Sequence, residues 1–312
     1  MVQLSTGAAT AGVARAVHPA AAAALVLGGA ALFGTVGTAQ ALGPDVPAAS
    51  LAAARMLLAA LCLAALAVLA RRGAGVLVAG RHAPTWWAGV GQGFFNLCFL
   101  AAMKEAGVAV GTLVAIGAAP LITGLIARRV TRTWLVATGV AICGLALLVG
   151  GQRGGPDAPS WVGLALALGA AASYATYIVA GHAAEARGLE TQSYLAAAFS
   201  VSALVTMPWL VLGDLTWILT ASGAAVLGYL VLVPTVVAYS LFNRGLRGVR
   251  SSTAATLALI EPVVAAGLAV AVLDERLGVQ GAMGAVLILL GLLVVVRSST
   301  GSGPREQSSA AA

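Results

Sequence analysis

Apolar runs of about twenty residues, separated by short polar turns, recur along almost the whole chain. They cover residues 20–40, 48–70, 85–103, 106–127, 133–151, 160–181, 192–212, 220–242, 252–273 and 278–296. A helix rising about 1.5 Å per residue needs about twenty apolar residues to cross a hydrocarbon core of about 30 Å. The pattern therefore predicts an all-α integral membrane protein with ten transmembrane helices. The separators hold the charges and helix breakers, as in Gly43-Pro44-Asp45, Arg71-Arg72-Gly73, Arg128 to Arg132 and Arg244 to Arg250. Residues 1–19 and 297–312 are expected as tails, the second disordered. The first run ends on Ala39-Gln40-Ala41, the small-x-small form of a signal cleavage site, but it is longer than a signal peptide's apolar region. It also has a counterpart later in the chain, so a retained span is expected.

That counterpart is one of two internal matches. Leu25 to Phe33 (LVLGGAALF) parallels Leu166 to Tyr174 (LALGAAASY), and Thr112 to Pro120 (TLVAIGAAP) parallels Ala254 to Pro262 (AATLALIEP). The offsets, 141 and 142 residues, are nearly equal, which argues for duplication of a five-span unit, 20–151 and 160–296. Five is odd, so the second copy crosses the membrane in the opposite sense. The expected architecture is two inverted-topology five-helix repeats. Such repeats support two conformations, each open to one side of a site near the midplane.

Composition agrees and adds orientation. The 312 residues are 60% hydrophobic and 9% charged, too few charges for a separate soluble domain. A net charge of +7 suggests nucleic acid only until the basic residues are located. With the N-terminus inside, 13 of the 17 Lys and Arg fall in cytoplasmic segments and 3 outside, the last being Arg55 within a span. This positive-inside bias places both termini in the cytoplasm and leaves no role for nucleic acid. The tryptophans, Trp86, Trp87, Trp134, Trp161, Trp209 and Trp217, lie near span ends, where indoles favour the headgroup region. Cys62, Cys98 and Cys143 lie in apolar runs without metal-ligand or disulfide spacing, and His18, His82 and His182 lie at span ends, so no metal or other cofactor is expected.

Against this background Glu261 stands out. A charge at the bilayer centre costs about 2.5–3.5 kcal/mol on insertion scales, so an intramembrane acid is by default a candidate functional group. It lies nine residues into its span, about 14 Å deep. Pro262 follows it and, lacking an N–H, is expected to deprive the Ala258 carbonyl of its helical partner. Arg55 lies about 10 Å into the second span, placed to bind an anionic solute group or pair with Glu261. Asn96, with Gln92 one turn before it, and the pair Tyr174 and Tyr177 sit at similar depth. Pro120 and Pro234 are expected to kink their helices, freeing the carbonyls of Ile116 and Leu230. Each polar residue also has a plain structural reading. Glu261 can lock two helices, Arg55 can snorkel outward, and Asn, Gln and Tyr can form ordinary interhelical hydrogen bonds.

Ala119-Pro120, Glu261-Pro262 followed by Asp274-Glu275-Arg276-Leu277, Gly284 and Gly291, and the Arg early in the second span together resemble the drug/metabolite transporter superfamily, EamA type. The resemblance covers nearly the whole chain. It implies a ten-helix bacterial inner-membrane carrier, often an exporter of amino acids, metabolites or drugs. In such carriers the first four helices of each half surround the cavity, with the fifth and tenth peripheral. The chain departs from symmetry in having Ala119 where the second half has Glu261, and in lacking acids in the Arg128 to Arg132 turn.

The expectation is a secondary transporter exporting a small organic solute by alternating access, with proton coupling at Glu261 as one route. An uncoupled facilitator with a structural Glu261 is the alternative. A lipid-modifying membrane enzyme is disfavoured because the paired carboxylates, His/Asp constellations and phosphate loops of that chemistry are not in the sequence. Small-residue spacings such as Gly284 with Gly291 serve internal packing and dimerisation equally, so no oligomeric state is read from them.

Overall fold

The computed structural model describes residues 18–106, 108–128, 130–150, 160–274 and 278–301. Most of both expected tails, and Glu275, Arg276 and Leu277, fall outside these; residues 297–301, expected in the second tail, continue the last helix. The described residues form helices and no strands. In chain order they are α1 (Pro19–Phe33), α2 (Thr35–Ala41), α3 (Ala48–Leu69), α4 (Gly73–Gly80), α5 (Ala83–Ala106), α6 (Val108–Ala127) and α7 (Arg132–Gly150). Then come α8 (Trp161–Ala186), α9 (Thr191–Leu212), α10 (Ala221–Val231), α11 (Ala238–Gly245), α12 (Ser251–Leu257), α13 (Ile260–Val272) and α14 (Val279–Gly301).

Among the described residues eight helical stretches are long and apolar enough to cross a membrane: Pro19–Ala41, Ala48–Leu69, Arg132–Gly150, Trp161–Ala186, Thr191–Leu212, Ala221–Gly245, Ser251–Val272 and Val279–Ser298. The two other expected runs are helical as well, as α5 and α6. The short α4, which the apolar runs did not announce, is tied to the start of α5. The Thr85 hydroxyl donates to the Ala79 carbonyl at 2.7 Å, and the Trp86 indole N–H to that of Gly80 at 2.8 Å.

Two of the expected proline effects take a different form. At Pro234 the chain widens into a single π-helical turn, Leu232–Val237, joining α10 to α11. The freed Leu230 carbonyl is met by the Thr235 hydroxyl at 2.7 Å. At Pro262 the helix breaks earlier, at Ala258 and Leu259, and restarts as α13. The Ala258 carbonyl is not orphaned, because the Glu261 N–H reaches it at 3.0 Å. The break places Glu261 in the first turn of α13, where a helix N-terminus favours a carboxylate. Pro120 stays inside α6 without ending it.

The bundle has two ends. One carries Asp45, Asp214 and Trp217; the other carries Arg72, Glu185, Glu190 and Arg247. Trp217 is buried, its indole N–H donating to the Asp214 carbonyl at 3.0 Å and the Ser50 hydroxyl at 3.3 Å. Trp134 is buried too and donates to the Ser252 carbonyl at 3.2 Å. These two indoles therefore clamp neighbouring helices, whereas Trp86, Trp87, Trp161 and Trp209 are exposed as a headgroup belt requires.

The helices α7 and α14 pack chiefly on each other. Their contact is backbone on backbone, since a Cβ on Gly284 would lie 2.4 Å from the Leu148 nitrogen and 2.5 Å from the Gly144 carbonyl oxygen. Gly284→Leu is thus expected to lower stability by about 1–3 kcal/mol through overpacking. A fall in the unfolding midpoint of the detergent-solubilised protein measures it, and an unchanged midpoint counts against this close approach.

Candidate functional site

The break at Ala258 and Leu259 brings α13 against the junction of α1 and α2. A Cβ on Gly34 would sit 2.5 Å from the Glu261 carbonyl oxygen. This contact sets Glu261 into the wall of an internal cavity of about 110 Å³. Arg55 of α3, Asn96 of α5, Tyr174 of α8, Pro234 and Tyr239 line the same cavity, with Phe33, Phe95 and Phe99 as its aromatic wall. Residues from at least six helices thus converge on one cavity, Arg55, Asn96, Tyr174 and Glu261 among them.

A chain of hydrogen bonds orders one side. Arg55 donates through Nη2 to Asn96 Oδ1 at 2.6 Å, and Asn96 Nδ2 donates to the Gln92 carbonyl at 2.8 Å. The Gln92 amide donates in turn to the Tyr239 hydroxyl at 2.6 Å. Arg55 is therefore turned inward and held, which is not a snorkelling arrangement. Gln92 stands one layer behind the cavity as a support for Asn96. Tyr177 is also behind it. Its ring packs edge-on against Tyr239 at 5.4 Å, and its hydroxyl accepts from Asn243.

Glu261 and Arg55 share the cavity without forming an ion pair. The Arg55 Nε–H and the Tyr174 hydroxyl are buried with no hydrogen-bond partner among the described residues. Charges and polar groups left uncompensated in an apolar surrounding are costly, so such groups mark a place where something else completes them. The sequence missed Tyr239, Asn243 and Phe33. Tyr239 and Asn243 repeat the four-residue spacing of Gln92 and Asn96; Tyr239 lies inside an apolar run and was open to the same argument, whereas Asn243 lies at the edge of that run, beside Arg244.

A larger hollow of about 410 Å³ lies towards the Asp45 end and shares Gln40, Ala48, Leu51 and Leu100 with the central cavity. The site is thus approached from that end. At the opposite end side-chain pairs tie neighbouring helices together. Arg72 Nη1 donates to Glu190 at 2.8 Å and to Gln192 at 2.7 Å, while Arg247 donates to Glu185 and to the Thr191 hydroxyl, both at 2.7 Å. Partial desolvation opposes the Glu190 carboxylate, but the Ser193 and Gln192 N–H groups, the Ser193 hydroxyl and Arg72 together hold it below the usual carboxylate range. A depressed folded value means its stabilisation is complete at neutral pH and is lost as pH falls through that value. Glu190→Gln should therefore flatten the acid-side decline of the unfolding midpoint, measured from about pH 7 to 3. An identical decline in both proteins would show that the carboxylate contributes nothing.

Apolar helices surrounding a cavity lined by an arginine and a carboxylate define a multi-pass membrane protein of the transporter kind. Residues 161–297 match the family model described as "EamA-like transporter family". The chain is 35% identical over 302 residues to "Uncharacterized transporter YwfM" of Bacillus subtilis (strain 168), covering 92% of this chain and 96% of that one. It is 30% identical over 142 residues to an "Uncharacterized transporter" of Haemophilus influenzae, covering 44% of this chain and 83% of the relative. A crystal structure at 20% identity superposes with a TM-score of 0.77, over 89% of this chain and 97% of that chain, a likeness of fold. The chain belongs to the EamA-like transporter family of the drug/metabolite transporter superfamily.

Proposed function

We propose that the protein is a secondary transporter that exports a small zwitterionic organic solute by alternating access, through ten spans arranged as two inverted five-helix repeats. The observation that carries this reading is the unpaired placement of Arg55 and Glu261 in one cavity. An anionic group of the solute completes Arg55, whose guanidinium has only one arm committed to Asn96. A cationic or hydrogen-bond-donating group completes Glu261. The apolar remainder lies against Phe33, Phe95 and Phe99. The small cavity suits a metabolite of amino-acid size.

The membrane is the bacterial inner membrane, with the Arg72 end cytoplasmic by the positive-inside bias. Glu261 is the candidate for proton coupling. Protonated, it donates a hydrogen bond; ionised, it only accepts, so solute and proton compete for the same oxygen atoms.

The test compares intracellular and extracellular metabolite pools of cells producing the wild type or Glu261→Gln at matched membrane amounts. A defined set of zwitterions enriched outside only with the wild type supports export and names the solute. Equal pools for both proteins count against the reading. Flux that answers an imposed pH gradient in the wild type and not in Glu261→Gln supports proton coupling; unchanged pH-driven flux in the variant would falsify it.

A further inference from the structure

Between the central cavity and the Arg72 end lies a buried layer whose polar atoms are left without partners. The Gln92 Oε1, Asn243 Oδ1 and Tyr194 hydroxyl are all buried and have no hydrogen-bond partner among the described residues. Two of them converge on one bare stretch of backbone. A Cβ built on Gly181 would lie 3.0 Å from Asn243 Oδ1 and 3.6 Å from the Tyr194 hydroxyl oxygen. Asn243 Nδ2 is engaged, donating to the Tyr177 hydroxyl and to the Tyr239 carbonyl at 2.9 Å. Tyr239 also lines the central cavity, so this layer begins where the solute site ends.

Its other end meets the two arginine clusters. Leu246 and Asn243 both approach Gly181, and Arg247 follows directly, holding Glu185 and Thr191. Arg72 lies between α3 and α4, in the first half of the chain, whereas Glu190 lies between α8 and α9 in the second. Their contact therefore ties the halves together at that end.

Burying unpaired amide and hydroxyl oxygens is unfavourable by an amount that an apolar side chain of similar size would avoid. A wall that is buried in one conformation and wetted in another has reason to keep them. We infer that Tyr177, Asn243 and Tyr194 line the closed half of the solute path, and that Arg72–Glu190 and Arg247–Glu185 are the gate across it. This rests on the alternating-access reading above. When the Arg72 end opens, Arg72 leaves Glu190, and water or the solute's polar groups reach Asn243 Oδ1 and the Tyr194 hydroxyl.

The experiment uses full-length protein with Cys62, Cys98 and Cys143 replaced by alanine, in membrane vesicles of each orientation, and a membrane-impermeant maleimide as the probe. Single cysteines are placed by Asn243→Cys, Tyr194→Cys and Asn96→Cys, with Leu145→Cys, buried in the core, as the control for general loosening. Each is compared with and without Glu185→Gln and Glu190→Gln. Arg72→Gln, which removes the half-exposed Glu190 pair together with the Gln192 contact and leaves Arg247–Glu185 in place, serves as an independent gate variant.

Removing the gate should raise labelling at positions 243 and 194 from the Arg72 side by about fivefold or more, the shift given by losing about two ion pairs. Labelling at 96 from the Asp45 side should fall in the same variants. No response at both 243 and 194 overturns the proposal, as does an equal rise at 145. Labelling needs no solute, so its outcome is separable from that of the export assay. If export is established while 243 and 194 stay inert, the path falls and the transporter stands; if labelling responds while no solute is exported, the path stands and the assigned solute class falls.

Discussion

Arg55→Lys is expected to reduce transport at low solute concentration by about 100-fold, with the protein still folded in the membrane. The reason is geometric. Arg55 spends one arm on Asn96 at 2.6 Å and keeps the rest of its planar fork for the cavity. A lysine ammonium is a point charge on a flexible stem and cannot hold Asn96 and a solute anion in one fixed arrangement. Losing a charge-assisted hydrogen bond in a buried site is worth about 1.5–3 kcal/mol, which corresponds to this range of rates. Asn96→Ala should cost less, because the guanidinium survives and loses only its brace. Initial rates of solute uptake into vesicles of the appropriate orientation give both values. A lysine variant that transports like the wild type would mean that Arg55 acts only as a charge.

Gly34→Ala is expected to be the more damaging of two single-methyl changes on the first span. The added methyl would sit 2.5 Å from the Glu261 carbonyl oxygen and 2.9 Å from Val264 Cβ, both on α13. Neither atom is the loose end of a long side chain, so α13 must move and carry Glu261 with it. A displacement of this kind costs on the order of tenfold or more in transport, as misplaced reacting or binding groups do. Overpacking adds about 1–3 kcal/mol of destabilisation. Gly37→Ala provides the comparison, since a Cβ there has nothing within 4 Å. That variant should transport normally and be slightly more stable, because alanine restricts the unfolded chain more than glycine does. Equal behaviour of the two would remove Gly34 from any role in setting the site.

The same two positions show how far the amino-acid sequence reaches. Apolar runs, basic turns and the lone intramembrane acid determined the helical membrane class, and their apolar surroundings singled out Arg55, Asn96, Tyr174 and Glu261, which line one cavity. These are one-dimensional properties, because the bilayer imposes length and polarity on each span separately. Which faces meet is a different matter. In a chain so rich in alanine and leucine, the periodicity does not mark one face of a helix as the buried one. The pairing of Gln92 with Tyr239, the removal of Tyr177 behind the cavity, and the burial of Trp134 and Trp217 depend on rotations that only packing sets. Pro262 announced an interruption, but its position at Ala258 and Leu259 and the 3.0 Å rescue of the Ala258 carbonyl followed from how α13 docks on Gly34. Nor does any local signal join Arg72 to Glu190, 118 residues away. The sequence by itself determined the helical membrane class and which polar residues sit within apolar runs; the tertiary structure alone decided which of them face one another, because contacts between spans distant in sequence are set by close packing of whole helices.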